Sequence, residues 1–203
     1  MEPPLAPISL MLPSKYASGA ASDTDGSTPS EPSVEWLTGT WTVTHSTLSM
    51  WRSARNVRIS YRPMPPKADG RPRVDDLVEY EPTDKQAVRK TVQGVDTQAD
   101  AARGWDWRGK GWLFFVGSHW EVLGWGEETA ADGARERWAV TWFAPTLFTK
   151  EGVDVYCDRR EGLSEATYKR VEEALTKLGA APVVAMVEKD MRPVEIKLPW
   201  TEK

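Results

Sequence analysis

The chain is poor in the residues that most often bind metals. It has a single cysteine, Cys157, and two histidines, His45 and His119, among 203 residues. One cysteine cannot form an intramolecular disulfide, which favours a reducing compartment. The two histidines lie in no zinc-binding pattern, and the sequence has no Walker loop, dinucleotide fingerprint or nucleophile elbow. We therefore expect neither a metal nor a cofactor.

An excess of basic charge and long apolar runs are also missing. The chain has 26 Lys and Arg against 30 Asp and Glu, which gives a formal net charge of -4. This balance argues against the basic surface of a nucleic-acid-binding protein. No apolar run approaches the roughly 18 residues that a membrane helix needs, and the N-terminal residues do not resemble a signal peptide. The sequence predicts a cytoplasmic protein that neither binds nucleic acid nor spans a membrane.

Tryptophan, by contrast, is abundant, with 11 Trp against 4 Phe. A buried tryptophan contributes a large apolar surface, but its N–H group needs a hydrogen-bond partner. Ordinary core packing explains many such residues. The high count also indicates an aromatic barrel wall or a ligand pocket.

Composition divides the chain into three regions. Residues 1–33 are rich in Pro, Ser, Ala and Gly, and they have little apolar surface to bury. They predict a flexible arm, in which the short piece 5–16 could still dock on the body or on a partner chain. Residues 34–180 form the predicted folded domain, and residues 181–203 form a C-terminal extension.

Turn signals separate runs of alternating apolar and polar residues throughout the folded domain. A helix follows, with Ser164 as its N-cap, an apolar stripe and Gly179 in the C-cap position; a second short helix begins at Pro182. Eight consecutive antiparallel strands followed by a helix predict an all-β, up-and-down barrel that closes its own edges. The predicted strands lie near residues 38–46, 55–62, 74–81, 86–96, 110–117, 118–126, 136–144 and 152–158.

The first strand opens with Gly39-Thr40-Trp41, which resembles the Gly-x-Trp signature of lipocalins and their calycin relatives. The resemblance covers roughly residues 37–178 and implies an eight-stranded barrel whose closed end is crossed by the tryptophan. It also implies an arginine after the last strand that stacks over this tryptophan, a position held here by Arg159 or Arg160. Unlike secreted lipocalins, the chain has no disulfide and no recognisable signal peptide. The whole sequence is also similar to fungal lipocalin-like proteins.

The aromatic stretch from Gly111 to Gly126 predicts a hairpin. If Gly117-Ser118 forms a two-residue turn, Phe115 lies opposite Trp120 and shares its face. This face carries no charge, so we assign it to the barrel interior. His119 then lies on the outer face.

Regular alternation from Trp41 places His45 inside the barrel, two pleats toward its mouth. The same rule assigns one face of each remaining strand to the interior. Mostly apolar walls with a few polar groups are typical of a small-molecule pocket. The polar groups could instead satisfy one another as a buried network, for example through an Asp76–Arg55 ion pair. The interior residues predicted from these strands include Arg55, Tyr61, Asp76, Tyr80, Trp138 and Trp142.

The first functional interpretation is therefore the binding of a small hydrophobic ligand or metabolite in the barrel. Its aromatic walls would be Phe115, Trp120, Trp138 and Trp142. The predicted polar and tyrosine contacts to the ligand are His45, Arg55, Asp76, Tyr61 and Tyr80.

Two alternatives use the same scaffold. A cofactor-independent enzyme of the cyclase, isomerase or lyase type could hold its substrate folded while His45 and Asp76 move a proton. A structural or partner-binding barrel could form a homo-oligomer through outward-facing Trp112, Phe114 and Trp125. A haem with His45 as its axial ligand is a further interpretation, although a lone interior histidine more often satisfies a hydrogen bond. The sequence leaves open whether the protein is an enzyme.

Overall fold

Eight antiparallel strands close into a barrel in the computed structural model, which describes residues 7–17, 30–100 and 103–201. Each strand pairs with the next along the chain, and β1 pairs with both β2 and β8, which closes the barrel. A short ninth strand extends the sheet beside β1. The predicted all-β barrel is confirmed. The strands are β1 (Gly39–Ser46), β2 (Ala54–Met64), β3 (Arg73–Pro82), β4 (Lys90–Gln98), β5 (Trp105–Gly109), β6 (Gly117–Thr129), β7 (Arg135–Phe143), β8 (Gly152–Cys157) and β9 (Arg192–Pro193).

Three α-helices flank the barrel: α1 (Val34–Leu37), α2 (Glu165–Thr176) and α3 (Ala181–Asp190). The Ser164 side chain caps α2 by accepting a hydrogen bond from the Thr167 N–H, as its sequence predicts. Helix α2 ends at Thr176, so Gly179 lies beyond it and is not the C-cap. Helix α3 has Pro182 in its first turn, where the missing N–H costs no hydrogen bond.

The wall formed by β7 and β8 is buried on both faces. Its inner face contributes Ala139 and Tyr156 to the cluster inside the barrel. Its outer face packs against α2 and α3 through a second apolar cluster. The two helices therefore act as an outer layer over one side of the barrel. The outer cluster includes Trp138, Val140, Trp142, Val153, Val155, Val171, Leu175, Val183 and Val187.

The closed end of the barrel is built around Trp41, which is fully buried. Its Nε1 donates a hydrogen bond to the Leu37 carbonyl at 2.8 Å. The Arg137 guanidinium lies over the Trp41 ring at 4.9 Å and over the Trp36 ring at 5.4 Å. Arg137 is held there by Asp158, which accepts a hydrogen bond from its Nε at 2.8 Å.

The prediction that Arg159 or Arg160 stacks over Trp41 is wrong. Arg159 Nη2 instead donates to Asp132 at 2.7 Å, and Arg160 lies over the Trp200 ring at 4.7 Å. The chain leaves the barrel after β8, whereas β7 runs beside β8 up to the closed end. A β7 side chain therefore occupies the position that the resemblance assigns to a residue after the last strand.

Residues 7–17 pack on the outer face of β6, although the sequence predicts a flexible arm here. The Met11 N–H donates to the Leu123 carbonyl at 2.7 Å, and the Ser14 hydroxyl donates to Glu121 at 2.7 Å. Arg103 joins the two segments by donating to Glu121 at 2.7 Å and to the Leu12 carbonyl. Apolar residues in this segment join the outer cluster, which explains why it is held. Residues 1–6 and 18–29 of the predicted arm lie outside the described residues.

The C-terminal extension runs over β2 and β3. Asn56 and Lys197 exchange two hydrogen bonds at 2.8 and 2.7 Å, and the Thr201 N–H donates to Glu81 at 2.8 Å. The Arg58 guanidinium lies over the Trp200 ring at 4.7 Å. These contacts fasten the end of the described chain to the barrel wall.

The predicted strand over 110–117 is wrong. The strand before β6 is Trp105–Gly109, and Gly111–Leu113 then forms a 3-10 turn that begins with a positive φ of 61° at Gly111. The Gly109 N–H donates to the Val116 carbonyl, which closes the connection. The apolar residues between Gly109 and Gly117 therefore lie in a loop at the barrel mouth, and Gly117-Ser118 is part of β6.

Within the described ranges, no helix is both long and apolar enough to cross a membrane.

Candidate functional site: a cavity at the barrel mouth

A cavity of about 430 Å³ lies inside the barrel at the end opposite Trp41. The loops that connect β1 to β2, β5 to β6 and β7 to β8 surround its mouth. Its volume lies in the range of small-molecule pockets. The mouth residues are Leu48, Met50 and Trp51 in the first loop, Trp112, Leu113 and Val116 in the second, and Thr146, Phe148 and Thr149 in the third.

Aromatic rings form much of the cavity wall. Trp120 stacks with Tyr61 at 5.7 Å and with Trp105 at 6.1 Å between ring centroids. Closer to the mouth, Trp51 meets the edge of Tyr80 at 5.5 Å. Stacked and edge-on aromatic pairs of this kind make a rigid apolar surface. Aliphatic side chains, including Ile59, Val78 and Val92, fill the remaining wall.

Two buried carboxyl groups face the cavity, and the first is Asp76. Its residue is 6% exposed, and its Oδ1 accepts no hydrogen bond from any described residue. Burial raises the pKa of Asp76 well above its usual value, and the neighbouring charges of Asp96 and Asp75 raise it further. A hydrogen bond from the Trp107 indole partly opposes this rise. Burial and these neighbouring charges therefore favour the protonated form of the Asp76 carboxyl group.

The second cavity-lining carboxyl group is Asp154, which accepts a hydrogen bond from the Ser46 hydroxyl. Burial raises the pKa of Asp154 to about 7, although this hydrogen bond opposes the rise. Asp96 is fully buried on the same face of β4 as Val92 but is not part of the cavity lining, and its Oδ1 accepts a hydrogen bond from Trp120 Nε1 at 2.7 Å. Burial likewise raises the pKa of Asp96 to about 7. All three carboxyl groups therefore have raised pKa values, with burial as the main cause.

Among the residues that the structure describes, no basic side chain lines the cavity to balance these acids. The described lining contains two carboxyl groups and no Lys, Arg or His. Arg52 lowers the pKa of Asp154, but its guanidinium is used by the Ser46 and Asp190 carbonyls at 2.8 and 2.7 Å. The cavity interior is therefore both apolar and acidic.

Strand pairing explains how Asp76 reaches the cavity. Asp76 shares the inward face of β3 with Val78 and Tyr80, and its partner on β4 is Gly94. A Cβ atom at Gly94 would overlap the Trp107 indole. Because Gly94 has no side chain, this indole can cross β4 and lie beside Asp76.

Four of the residues predicted for the site line the cavity: Tyr61, Asp76, Tyr80 and Trp120. Their role in ligand binding stays a prediction. The cavity is also lined by Trp51, Trp107, Asp154 and Tyr156, which were not predicted to bind the ligand. A lone acidic residue inside the apolar strand GVDVYC is the signal that could have identified Asp154.

His45 does not lie in the barrel interior, so its predicted placement is wrong. The β1–β8 register shifts between Val43 and His45, and this bulge turns His45 to the outer face. There its ring stacks on Tyr168 of α2. Burial lowers the pKa of His45 to about 4. His45 and Asp76 are therefore on opposite sides of the wall and form no acid–base pair, and the interpretation of His45 as an interior haem ligand fails for the same reason.

Arg55 also lies outside the cavity, contrary to the prediction. The β2–β3 register shifts between Arg55 and Arg58, where Asn56 has a positive φ of 51°. Arg55 donates to Glu81 at 3.3 Å and to the Lys85 carbonyl at 3.0 Å. The Asp76–Arg55 pair suggested by the sequence is therefore not formed.

Trp138 and Trp142 belong to the outer cluster and not to the cavity wall, so their predicted placement is wrong. Trp142 Nε1 donates to Glu151 at 2.8 Å, and its ring meets the edge of Tyr16. The prediction placed the bulkier face of β7 inside. Because α2 and α3 cover this wall, its outer face is the bulkier one.

Phe115 is 51% exposed in the loop before β6 and is not part of the cavity lining. The hairpin that would have turned it inward does not exist. It joins an exposed aromatic rim, with the Phe114 and Phe148 rings at 5.7 and 6.5 Å. His119 lies on the outer face of β6, with its Nδ1 2.9 Å from Asp106.

No group of His, Cys, Asp or Glu side chains suited to a metal ion occurs among the residues described.

The closed eight-stranded barrel, its hollow interior and the helix after the last strand define a lipocalin-like fold. No protein-family model and no curated protein matches the chain. Among solved structures, the chain is similar to lobster apocrustacyanin A1, with 9% identity, a TM-score of 0.49, and coverage of 81% of this chain and 79% of that chain. It is also similar to apocrustacyanin C1, with 11% identity, a TM-score of 0.52, and coverage of 80% and 78%. The second similarity shows the fold alone, and the resemblance to fungal proteins stays a prediction.

Proposed function

We propose that the protein binds a small, mostly apolar molecule inside the barrel. The observation that carries this proposal is the cavity of about 430 Å³, whose lining is largely aromatic and aliphatic. Replacing the water at such a lining with an apolar ligand is favourable, because it removes apolar surface from water. The few polar groups inside the cavity would fix the ligand's orientation.

The loops at the mouth support the same proposal. Trp112 is 77% exposed and Phe148 is 66% exposed, and both also line the cavity. An apolar surface that continues from solvent into a pocket offers a ligand contacts along its whole entry path.

The proposal can be tested with N-phenyl-1-naphthylamine, an apolar dye whose fluorescence rises in an apolar environment. Val92 lines the cavity, whereas Val95 on the same strand lies on the opposite face and is not part of the lining. We expect Val92→Trp to weaken dye binding at least about tenfold because the larger ring fills the cavity. Val95→Trp is the matched control and should leave the dye affinity unchanged. Equal binding by both variants, or no binding by the wild type, would contradict the proposal.

The enzyme alternative loses the residue pair on which it depended, because His45 lies outside the barrel. Of the three residues predicted for self-association, Trp125 is already engaged within the chain. Its Nε1 donates to the Ser30 carbonyl at 2.6 Å, and its ring packs on Trp36 at 4.8 Å. Trp112 and Phe114 remain exposed. Cytoplasmic localisation and a homo-oligomeric state stay predictions.

A further inference from the structure

We propose that the ligand of this cavity is an organic cation, an apolar molecule with a protonated amine that the Asp76 carboxylate binds. This inference rests on the proposed function and adds the chemical class of the ligand. It is carried by the charge of the lining, by an unsatisfied carboxyl oxygen and by the aromatic surroundings.

The cavity lining is acidic. Asp76 and Asp154 both face the cavity, and no basic side chain among its described residues opposes them. Inside a barrel, an unpaired carboxyl group is costly to keep, and an ion pair in a low dielectric is much stronger than in water. A cationic ligand would stabilise the ionised form of these carboxyl groups, whereas an anionic ligand would oppose their ionisation.

The unsatisfied oxygen identifies Asp76 as the anchor. Its side chain is more than nine-tenths buried, and no N–H or O–H group of a described residue donates to its Oδ1. The neighbouring Asp96 carboxyl group interacts with Asp76 by sharing a proton, which leaves the ionised Asp76 carboxylate without a donor at this oxygen. Buried polar atoms are almost always hydrogen-bonded, so an acceptor without a donor marks a position where a ligand donor fits. Asp154 already accepts a hydrogen bond from Ser46, and it would add negative charge without being the main contact.

Aromatic rings surround the two acids. Trp51, Tyr80, Trp107 and Trp120 all line the cavity, and their electron-rich faces attract cations. The same rings would pack against the apolar part of the ligand. A neutral alcohol of the same shape would gain the packing but not the charge interactions.

Proton release is a direct consequence. Burial and Asp96 raise the pKa of Asp76, so at a pH below that pKa the binding of an ammonium ion to its carboxylate releases a proton to solvent. The titratable groups that face Asp76 inside the barrel are Asp96 on β4, Tyr61 on β2 and Tyr156 on β8, and Asp75 acts on it from the outer face of its own strand. None of them brings a positive charge. The affinity for the amine should therefore rise with pH, by up to about tenfold per unit, below the pKa values of Asp76 and the amine.

Probes with one shared ring system test the inference. We would displace N-phenyl-1-naphthylamine with 2-(1-naphthyl)ethylamine, 2-(1-naphthyl)ethanol and 1-naphthylacetate at pH 6, 7 and 8. The amine should bind at least tenfold more tightly than the alcohol at pH 8, and the acetate should bind more weakly than both. An alcohol that binds as tightly as the amine would overturn the inference.

Two variants locate the contact. Asp76→Asn should reduce the amine affinity to that of the alcohol while leaving the alcohol affinity within about threefold. Asp154→Asn should reduce the amine preference less than Asp76→Asn does. Alcohol binding by each variant reports that its cavity is intact. If a variant does not fold, proton release by the wild type, measured calorimetrically in buffers of different ionisation enthalpy, decides the question: its absence overturns the inference.

The outcomes separate the inference from the proposed function. If the dye and the alcohol bind but the amine has no advantage, the cavity binds apolar molecules and the ligand class is wrong. If neither the dye nor any of the three probes binds, both the proposed function and the inference fail.

Discussion

His45 and Tyr168 lie face to face, with their ring centroids 3.4 Å apart and their planes tilted by 8°. His45 belongs to β1 and Tyr168 to α2, so this stack joins the barrel wall to the helix that covers it. Burial favours the neutral imidazole, which explains why the pKa of His45 falls to about 4. The stack is therefore a packing contact between two neutral rings at physiological pH.

The two histidines should titrate in opposite directions, which NMR of their ring protons can measure. We expect His45 to titrate near pH 4. His119 should titrate above its usual value of 6.5 because Glu121 and Asp106 stabilise its charged form, although burial opposes them. His119→Gln assigns the two signals. A midpoint near 6.5 for His45 would show that its ring is exposed to solvent and that the stack does not form.

The buried acids should make the barrel less stable as pH rises. The pKa of Asp154 is about 7 in the folded protein, against an ordinary value of 3.8. The folded state therefore holds an extra proton between these values, and the stability that this proton contributes is lost as pH rises from about 4 to about 7.

Asp154→Asn removes this titration. As pH rises across that window, the free energy of unfolding of the Asp154→Asn variant should increase relative to that of the wild type by up to about 1.4 kcal/mol per pH unit. Urea denaturation measures this difference. Asp132→Asn is a control at an exposed acid, whose pKa is lowered by hydrogen bonds from Ala134 and Arg159. The difference in free energy of unfolding between Asp132→Asn and the wild type should stay constant over the same pH window. A constant difference for Asp154→Asn as well would contradict the burial of this carboxyl group.

Arg137 should be a major contributor to the stability of the closed end. Arg137→Ala removes its stacking on Trp41 and Trp36 and its bonds to Asp158, so we expect a loss of about 2–4 kcal/mol in the free energy of unfolding. Arg135→Ala, two residues earlier on the same strand, is the matched control because its side chain is 68% exposed. Similar losses in both variants would mean that Arg137 acts only as a surface charge.

Sequence alternation predicted the lining correctly where strands are regular. Strand β3 pairs with β4 without an irregularity through Asp76 and Tyr80, and the bulge opposite Tyr80 adds its residue to β2 and not to β3. A period of two residues is therefore enough to orient these side chains. It failed at His45 and Arg55 because a bulge adds one residue and reverses the face. Nothing in a single sequence marks these bulges clearly.

The failure at Trp138 and Trp142 has a different cause. Alternation identifies two faces but cannot say which is inside when both are buried. The apolar stripe of α2, with Val171 and Leu175 fully buried, requires an apolar surface to pack against. That requirement is readable from the sequence, and it would have assigned the two tryptophans to the helix-facing side and left the smaller residues for a hollow interior.

The coverings of the barrel are distributed unevenly around its circumference. The N-terminal segment, the two long helices and the C-terminal extension lie over β6, β7, β8, β1, β2 and part of β3. In the part of the chain that the structure describes, the contacts give no such layer over β4 and β5, which pair through five residue positions. Among the described residues, β4 and β5 therefore form the part of the barrel wall without an outer layer. Their amide hydrogens should exchange with deuterium fastest in the barrel, and a ligand too wide for the mouth would gain room by separating them.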